Sequence, residues 1–535
     1  MGPGPSPDVR VEIDHVPRHR GAHTEAQSAA RLLADAAVSG RRINRVWGMK
    51  AGARGGFVVV IVLLSGALAS CATKPFSDRT GSLVWRRCGG IECTTLAVPL
   101  DWSNPRAGHI ELALARRPSD GHRVGVLLTN PGGPGGSGVQ LVQQAGDVFD
   151  KSVLDRFDVV SWDPRGVGAS APAECGSKLD SFYEVDRSGA DSATAKANAV
   201  VAERLAAGCA RETGRRLPFL STDATVHDMD AIRAAMGVAT VDYLGFSYGT
   251  YIGALYADRY PSRVRAMVLD GAIDPAMAYG DATVRQAVGF ERSLDAFFAW
   301  CHDHTSCKFA RGADPRTAFD DLMTSIAGET DPGTVHGEHR TLDIGEANIG
   351  VATALYSGKG DNGWGALSTA LSNAARGDGS ALLELSDAYT GRRKGGTYDN
   401  ETAAFYSIGC LDGPAPPTLG AAQQLAARAA RVAPHFGAST VWLGLPCTYW
   451  PARAVGTPGP IHATGAPPIV VIGTTDDPAT PYEQAQALAR ELSSGHLLTY
   501  VGEGHTAYGR DDCIDKAVDR YLISLAVPAG GTRCH

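Results

Sequence analysis

Apolar and polar positions alternate in residues 94–100 and again in residues 109–116, and the turn segment Asn104-Pro-Arg-Ala-Gly108 lies between them. A period of two is typical of strands with one buried face, so this pair predicts a β-hairpin at the start of the fold. Continuous apolar runs follow, which are typical of strands buried on both faces; they cover 124–129, 158–162, 241–246, 265–270, 468–473 and 496–501.

Helical segments separate several of these runs. Residues 190–216 are alanine-rich, and residues 222–236 have a helical pattern closed by Gly237, a typical C-cap. Strands that alternate with helices predict a mainly parallel α/β sheet. The alternation stops between 275 and 460, where helical patches occur at 287–300, 318–326, 365–375 and 419–432. We therefore expect a core of residues 71–274 and 461–535, with a helical cap of residues 275–460 inserted into it.

The N-terminal region has a different pattern. Residues 57–69 form an apolar run that is short for a membrane span but suits the core of a signal peptide, with Lys50 and Arg54 as its positive flank. The run ends in Leu68-Ala-Ser-Cys71, which resembles the lipidation motif of bacterial lipoproteins. We expect a signal peptide at 49–70 and lipidation of Cys71, with an uncleaved anchor or plain secretion as alternatives. Residues 1–48 are interpreted as a disordered or mis-assigned leader.

Composition narrows the range of partners. The formal charge is -7 and no basic run is interleaved with aromatic residues, which argues against nucleic acid as a main partner. Besides Cys71 there are ten cysteines, an even number that predicts disulfides in an exported chain. The simplest pairing joins sequence neighbours. The segment Cys301-His-Asp-His-Thr-Ser-Cys307 fits no common zinc spacing, so we predict neither a metal site nor a cofactor.

The main candidate for chemistry is the segment Gly245-Phe-Ser-Tyr-Gly249, which joins an apolar strand to an amphipathic helix. This order predicts a tight turn that projects the Ser247 hydroxyl above the carboxyl end of the sheet. Side chains at Gly245 and Gly249 would collide across such a turn. The pentapeptide alone is weak evidence because 64 of the 535 residues are glycine. An ordinary glycine-rich turn with an idle serine is the alternative.

An acidic pair and a histidine follow the last two apolar runs. These residues are Asp476, Asp477 and His505. The chain order serine, acid, histidine is that of the α/β-hydrolase fold. Ser247 would be the nucleophile and His505 its base, while the acid, for which we favour Asp477, would orient the imidazole. In the next segment, Thr480-Pro-Tyr-Glu483, we predict a helix start with Thr480 as its N-cap.

A glycine-rich segment, Asn130-Pro-Gly-Gly-Pro-Gly-Gly-Ser-Gly138, ends the first buried run. Backbone N–H groups in such a loop can point into a site, and we predict an oxyanion hole from the N–H groups of Gly133 and Tyr248. The segment also matches a dinucleotide-binding fingerprint, with Asp163 downstream. That alternative would leave Ser247 and the C-terminal motifs without a role. We expect the turn at Asp163 to brace the site rather than to react.

Residues 85–534 resemble the tripeptidyl aminopeptidase branch of the proline-iminopeptidase-like serine hydrolases, exported actinobacterial enzymes with mycobacterial cell-envelope relatives. The Asp-Pro-Ala-Thr-Pro run supports Asp477, and Pro131 stands where proline iminopeptidases usually have histidine. The resemblance implies release of short peptides, often tripeptides, from free N-termini. Its motifs are Asn130-Pro-Gly-Gly-Pro-Gly-Gly-Ser-Gly138, Trp162-Asp-Pro-Arg-Gly-Val-Gly168, Gly245-Phe-Ser-Tyr-Gly-Thr250, Gly473-Thr-Thr-Asp-Asp-Pro-Ala-Thr-Pro481 and Gly504-His-Thr506.

The resemblance also implies that acidic cap residues hold the substrate ammonium group. Asp399, Glu401 and Asp412 lie in a suitable segment, although solvated charges are the ordinary alternative. Three functions stay open. The favoured one is an exported serine aminopeptidase, found in the cell envelope or secreted, with a peptide or protein substrate. The others are an envelope carboxylesterase or lipase and a non-catalytic envelope binding lipoprotein; a membrane would be involved only through a lipid anchor at Cys71.

Overall fold

The structure is a computed structural model that describes residues 83–176, 179–189, 191–329 and 331–535. The predicted leader at 1–48, the predicted signal peptide at 49–70 and Cys71 lie outside the described residues. Within the four described ranges, no helix combines the length and the apolar character needed to cross a bilayer.

The first part of the chain alternates strands and helices after an opening hairpin. Its strands are β1 (Arg86–Cys88), β2 (Ile91–Pro99), β3 (His109–Arg117), β4 (Gly125–Asn130), β5 (Phe157–Trp162), β6 (Val241–Phe246) and β7 (Val264–Asp270). Its helices are α1 (Gly138–Gln143), α2 (Ala145–Val148), α3 (Lys151–Leu154), α4 (Asp180–Tyr183), α5 (Ser192–Thr213), α6 (Thr222–Ala235) and α7 (Tyr248–Arg259). The predicted hairpin is confirmed by antiparallel pairing of β2 with β3, and α5 and α6 confirm the two predicted helices.

The following stretch is mostly helical. Its helices are α8 (Tyr279–Asp303), α9 (Pro315–Gly328), α10 (Ile344–Ser357), α11 (Ala366–Ala374), α12 (Ser380–Thr390), α13 (Glu401–Asp412), α14 (Leu419–Ala430) and α15 (Gly437–Leu443). Two short hairpins interrupt them, formed by β8 (Asp331–Val335) with β9 (Glu338–Leu342) and by β10 (Arg392–Arg393) with β11 (Thr397–Tyr398). The chain ends with β12 (Ile469–Asp476), α16 (Tyr482–Glu491), β13 (Gly495–Glu503), α17 (Asp512–Ser524) and β14 (Arg533–Cys534).

One ten-stranded sheet organises the core, in the order β1-β2-β3-β5-β4-β6-β7-β12-β13-β14. From β5 to β14 every neighbouring pair is parallel, whereas β1, β2 and β3 pair in antiparallel fashion. This mainly parallel sheet, with a helical block between β7 and β12, confirms the predicted α/β-hydrolase fold. Parallel strands bring their carboxyl ends to one edge, so the residues after β4, β6, β7, β12 and β13 converge there.

Apolar layers cover both faces of this sheet. Val126 and Leu128 of β4 pack into one layer while Leu127, between them, packs into the other. This alternation is what a strand buried on both faces produces. The helical block has a separate apolar cluster, built around large side chains such as Phe297 and Trp364.

All five nearest-neighbour cysteine pairs form disulfides, which confirms the predicted pairing: Cys88–Cys93, Cys175–Cys209, Cys301–Cys307, Cys410–Cys447 and Cys513–Cys534. The thiols of the segment weighed as a metal site are thus joined to each other. The Cys410–Cys447 bond ties α13 to the short helical turn Leu445–Tyr449.

Candidate active site

Ser247 lies at the junction of β6 and α7 with φ +53°, a strained value for a residue with a side chain. The two flanking glycines are required by space. A Cβ on Gly245 would lie 2.4 Å from the Gly249 carbonyl oxygen, and one on Gly249 would lie 2.7 Å from that of Asn130. The Ser247 N–H donates to the Asp270 carbonyl at 2.8 Å. The sharp turn predicted from the pentapeptide is therefore formed, with the serine at its apex.

Asp477 and His505 are in direct contact. The distances from His505 Nδ1 to the two carboxylate oxygens of Asp477 are both 2.9 Å, and Asp477 is 2% exposed. Asp477 also accepts the N–H groups of Ala479 and Thr480 at 2.9 and 2.8 Å, which fixes its orientation. Asp476 is exposed and accepts the Thr475 hydroxyl. Of the two predicted acids, only Asp477 is positioned to orient an imidazole.

The second ring nitrogen of His505, Nε2, differs from Nδ1 in its hydrogen bonding. His505 Nε2 is buried and has no hydrogen-bond partner within the described part of the chain. A buried ring nitrogen without a partner is unusual and is typical of a functional site. The His505 N–H donates to the Tyr356 carbonyl at 2.9 Å, and the Tyr356 ring meets the imidazole edge-on with centroids 5.4 Å apart. The end of α10 therefore fixes the loop that carries the histidine.

The predicted role of Thr480 as a helix N-cap is wrong. Helix α16 begins at Tyr482, and Pro481, at its N-cap position, makes no side-chain capping bond. The Thr480 hydroxyl instead donates to Asp477 Oδ2 at 3.1 Å and lies 3.3 Å from His505 Nδ1. The proximity of the carboxylate outweighs the local capping preference, so Thr480 belongs to the site rather than to the helix end.

The glycine-rich loop after β4 packs directly on the serine turn. A Cβ on Gly132 would lie 3.0 Å from Ser247 Cβ and 3.1 Å from the Tyr248 nitrogen. The Gly132 N–H donates to Asn130 Oδ1 at 3.0 Å, so it is already engaged. The N–H groups of Gly133 and Tyr248, the two predicted donors, have no acceptor among the described residues. Both come from segments that touch the serine turn.

Asp163 braces this loop, as expected for the turn after β5. Its carboxylate accepts the Ser137 hydroxyl at 2.6 Å, the Val139 N–H at 3.1 Å and the Ala169 N–H at 2.9 Å. Burial raises the pKa of Asp163, and these three donors oppose that shift. The Asp163 carboxylate therefore links the end of the glycine-rich loop to the turn after β5.

The three acidic cap residues are not brought to one place. Glu401 begins α13 and Asp412 ends it, about 16 Å apart at the rise of an α-helix. Glu401 lies on the glycine-rich loop, where a Cβ on Gly135 would be 2.7 Å from its carbonyl oxygen and 3.2 Å from its Cγ. Asp399 accepts the Glu401 N–H at 3.1 Å and lies 3.7 Å from Arg393.

Asp412 has a different set of partners. Its carboxylate accepts the Thr222 N–H at 2.9 Å, the Thr222 hydroxyl at 2.6 Å and the Tyr248 hydroxyl at 3.4 Å. Burial raises the pKa of Asp412 to about 7 against these donors. The carboxylate is thus occupied by the residues that flank the serine turn.

Glu401 keeps an exposed side chain although protein surrounds it on most sides, which is the environment of a residue lining a cleft. Burial in this cleft, and then the neighbouring Asp399 carboxylate, raise the pKa of Glu401 to about 7. A carboxylate held in a cleft with a raised pKa is a functional-site candidate.

Three residues of this region escaped the sequence analysis: Asp270, Tyr356 and Asn400. Asp270 is buried at the end of β7 and accepts the N–H groups of Ala507 and Tyr508 through its side chain, next to His505. It is the last residue of an apolar run, and this position at a strand end could have identified it. Tyr356 and Asn400 lie in the helical block, where no sequence pattern indicates which residues lie near the sheet edge.

Two family models match the chain. The model described as "alpha/beta hydrolase fold" matches residues 125–310, and the one described as "TAP-like protein" matches residues 433–534. The first range contains the serine turn and the second contains the acid and histidine loops.

Curated relatives match along most of the chain. The chain is 36% identical over 465 residues to "Serine protease Hip1" of Mycobacterium tuberculosis, covering 83% of this chain and 88% of the relative. It is 36% identical over 458 residues to "Carboxylesterase B" of the same species, covering 83% and 86%. It is 30% identical over 471 residues to "Tripeptidyl aminopeptidase" of Streptomyces lividans, covering 84% of each chain.

Proposed function

Because the chain belongs to the tripeptidyl aminopeptidase-like branch of the α/β-hydrolase-fold serine hydrolases, we propose that it is an exported aminopeptidase that releases short peptides, tripeptides above all, from free N-termini. The reaction proceeds through an acyl-enzyme on Ser247. The five disulfides are in keeping with an oxidising compartment.

The proposed mechanism uses the contacts described above. Ser247 Oγ attacks the scissile carbonyl carbon as His505 Nε2 takes its proton, and Asp477 stabilises the resulting imidazolium. The N–H groups of Gly133 and Tyr248 bind the developing oxyanion. The C–N bond breaks as His505 returns the proton to the leaving amine. Water then cleaves the acyl-enzyme by the same route, which regenerates the serine and releases the short peptide.

Selection of a free N-terminus rests on Glu401. Its side chain packs on Gly135, which lies two residues after Gly133 in the glycine-rich loop. The Glu401 carboxylate is therefore held by the same short segment that supplies the Gly133 N–H. A carboxylate in a partly desolvated cleft pairs with an ammonium group more strongly than one in open water. Of the three cap acids, Glu401 is the one we assign to the substrate. Asp399 accepts the Glu401 N–H, and Asp412 accepts the Tyr248 hydroxyl.

The test compares a free tripeptide anilide with its N-acetylated twin, with Ser247→Ala as the blank. We expect efficient cleavage of the free-amine substrate alone and none by the blank. Equal cleavage of both, or cleavage of simple esters only, would replace this proposal with the carboxylesterase alternative. Failure of a fluorophosphonate probe to label Ser247 would favour a non-catalytic binding protein.

A further inference from the structure

Helix α13 crosses the catalytic region from end to end. Its first residue, Glu401, lies against Gly135 of the glycine-rich loop, and its last residue, Asp412, accepts hydrogen bonds from Thr222 and Tyr248 beside the serine turn. At 3.6 residues per turn, positions 401 and 412 lie about 20° apart around the helix axis. Both ends of this side of α13 therefore contact the segments around the serine turn.

Phe405 lies on this same side of the helix, about 40° around the axis from Glu401 and one turn further along. Its side chain is 41% exposed, while residues 402–404 and 406–408 are all buried. The next position on this side is Ile408, about 20° from Glu401 around the axis, and it is buried. Gly409 lies about 80° from Glu401, and a Cβ there would meet no atom within 4 Å. A large, partly exposed apolar ring thus lies one turn beyond Glu401 on this side of α13.

A second exposed aromatic ring lies near the same carboxylate. Tyr389 is 44% exposed, and its ring centroid lies 5.9 Å from that of Tyr356, the residue that packs on His505. Burial raises the pKa of Tyr389, and the nearby Glu401 carboxylate adds to this rise. Tyr389 and Tyr356 therefore form a row of aromatic rings that ends on His505.

We propose that Phe405 is a specificity-determining residue that contacts the side chain of the second residue of the substrate and favours an apolar side chain there. This inference rests on the proposed function, since it takes Glu401 as the site of the substrate ammonium. One helical turn carries Phe405 about 5–6 Å beyond Glu401. An extended peptide advances about 3.3–3.6 Å per residue, so a peptide that runs along α13 from Glu401 would place its second residue beneath the ring.

Exposed apolar residues that occur singly on a surface need no explanation. Val432 is such a residue: it is 53% exposed and lies just beyond α14. Phe405 differs because both ends of its helix touch catalytic loops and because a carboxylate precedes it on the same side. Val432→Ala is therefore the matched control for loss of an exposed apolar side chain from the helical block.

The experiment uses the full chain and four anilides with a free N-terminus, Ala-Leu-Ala, Ala-Asn-Ala, Ala-Ala-Leu and Ala-Ala-Asn. Leucine and asparagine have similar shapes but differ in polarity. In the wild type we expect kcat/KM to favour leucine over asparagine at the second position about tenfold. Phe405→Ala and Phe405→Gln should reduce this ratio to within about twofold of one. Both Phe405 variants should keep the wild-type ratio at the third position and the wild-type turnover of p-nitrophenyl acetate. The Val432→Ala variant should match the wild type in all of these measurements.

The two proposals fail in different ways. If the wild type cleaves no free-amine tripeptide anilide, or cleaves acetylated ones equally well, the proposed function fails and this inference fails with it. If the wild type behaves as an aminopeptidase but either Phe405 variant keeps the wild-type ratio at the second position, only the inference about Phe405 is refuted. Loss of the acetate activity in Phe405→Ala would indicate misfolding, and Phe405→Gln then decides, because a polar side chain suits an exposed position.

Discussion

Replacing Asn400 with alanine should weaken recognition of free N-termini while leaving the acyl-transfer chemistry intact. The Asn400 side chain donates to the Gly166 carbonyl at 2.8 Å and accepts the Gly168 N–H at 3.0 Å. These groups belong to the turn after β5, whose Asp163 holds the end of the glycine-rich loop. Asn400 directly precedes Glu401, so it ties the start of α13 to the core at the point where the carboxylate must be positioned.

The size of the effect follows from those two bonds. A neutral hydrogen bond contributes about 1 kcal/mol net, and the two groups left behind by alanine regain some water, so we expect a loss of about 1–2 kcal/mol. If this loss falls on the placement of Glu401, kcat/KM for a free tripeptide anilide should drop about 5–30-fold. Most of the drop should be in KM, because an ammonium contact present in the ground state is removed.

The assay measures kcat and KM on the free anilide, its acetylated twin and p-nitrophenyl acetate. Asn104→Ala is the matched control, since Asn104 is exposed and its side chain makes no capping bond. We expect the ester to be hydrolysed within about twofold of the wild-type rate. An equal loss on ester and peptide would mean that Asn400 supports folding in general. An unchanged KM for the free anilide would mean that it does not position Glu401.

Four other substitutions test the remaining roles. Asp477→Asn should lower kcat about 10⁴-fold, as loss of an imidazole-orienting carboxylate does in the serine-protease template, whereas Asp476→Asn should change it only a few-fold; equal effects would refute the assignment of the acid. Burial and the Asp399 carboxylate raise the pKa of Glu401 to about 7, so this group loses its charge as the pH falls through 7. kcat/KM for free-amine peptides should then fall more steeply below pH 7 than it does for the ester, and Glu401→Gln should remove the difference. Gly135→Ala would place a Cβ 2.7 Å from the Glu401 carbonyl oxygen at a backbone φ of +117°, so the preference for free over acetylated peptide should decrease at a roughly constant ester rate.

The core could be predicted from the sequence because its signals are local. Each buried strand is a continuous apolar run, and parallel strands must bring their carboxyl ends to one edge. Ser247, Asp477 and His505 each follow such a run, so topology alone predicts that they converge. The choice of Asp477 over Asp476 depended on a motif, and the geometry of the buried carboxylate now supplies a physical reason for it.

The cleft could not be predicted in the same way. Helices α10, α12, α13 and α15 were not expected, and no periodicity states which side of α13 faces the sheet edge. Asp399, Glu401 and Asp412 looked equivalent as carboxylates in one segment. They differ only through partners far away in the chain, such as Gly135 and Thr222, which tertiary packing brings to them. For Thr480 a local pattern gave a wrong prediction. The pattern predicted a helix N-cap, but the Thr480 hydroxyl donates to the nearby Asp477 carboxylate.

The glycine-rich loop explains how a residue of the helical block can be held at a fixed distance from the serine turn at the sheet edge. Within four residues of this loop, Gly132 packs on Ser247, Gly133 offers an N–H without an acceptor among the described residues, and Gly135 packs on Glu401. A side chain at Gly132 or Gly135 would meet a backbone oxygen at 2.6 or 2.7 Å, so these contacts exist only because both positions are glycine. The spacing between the serine and the cleft carboxylate is therefore set by a short backbone segment rather than by the orientation of the whole helical block. Substitutions in α13 should consequently change which peptides are selected, whereas substitutions that lengthen this loop should change peptide selection and catalytic rate together.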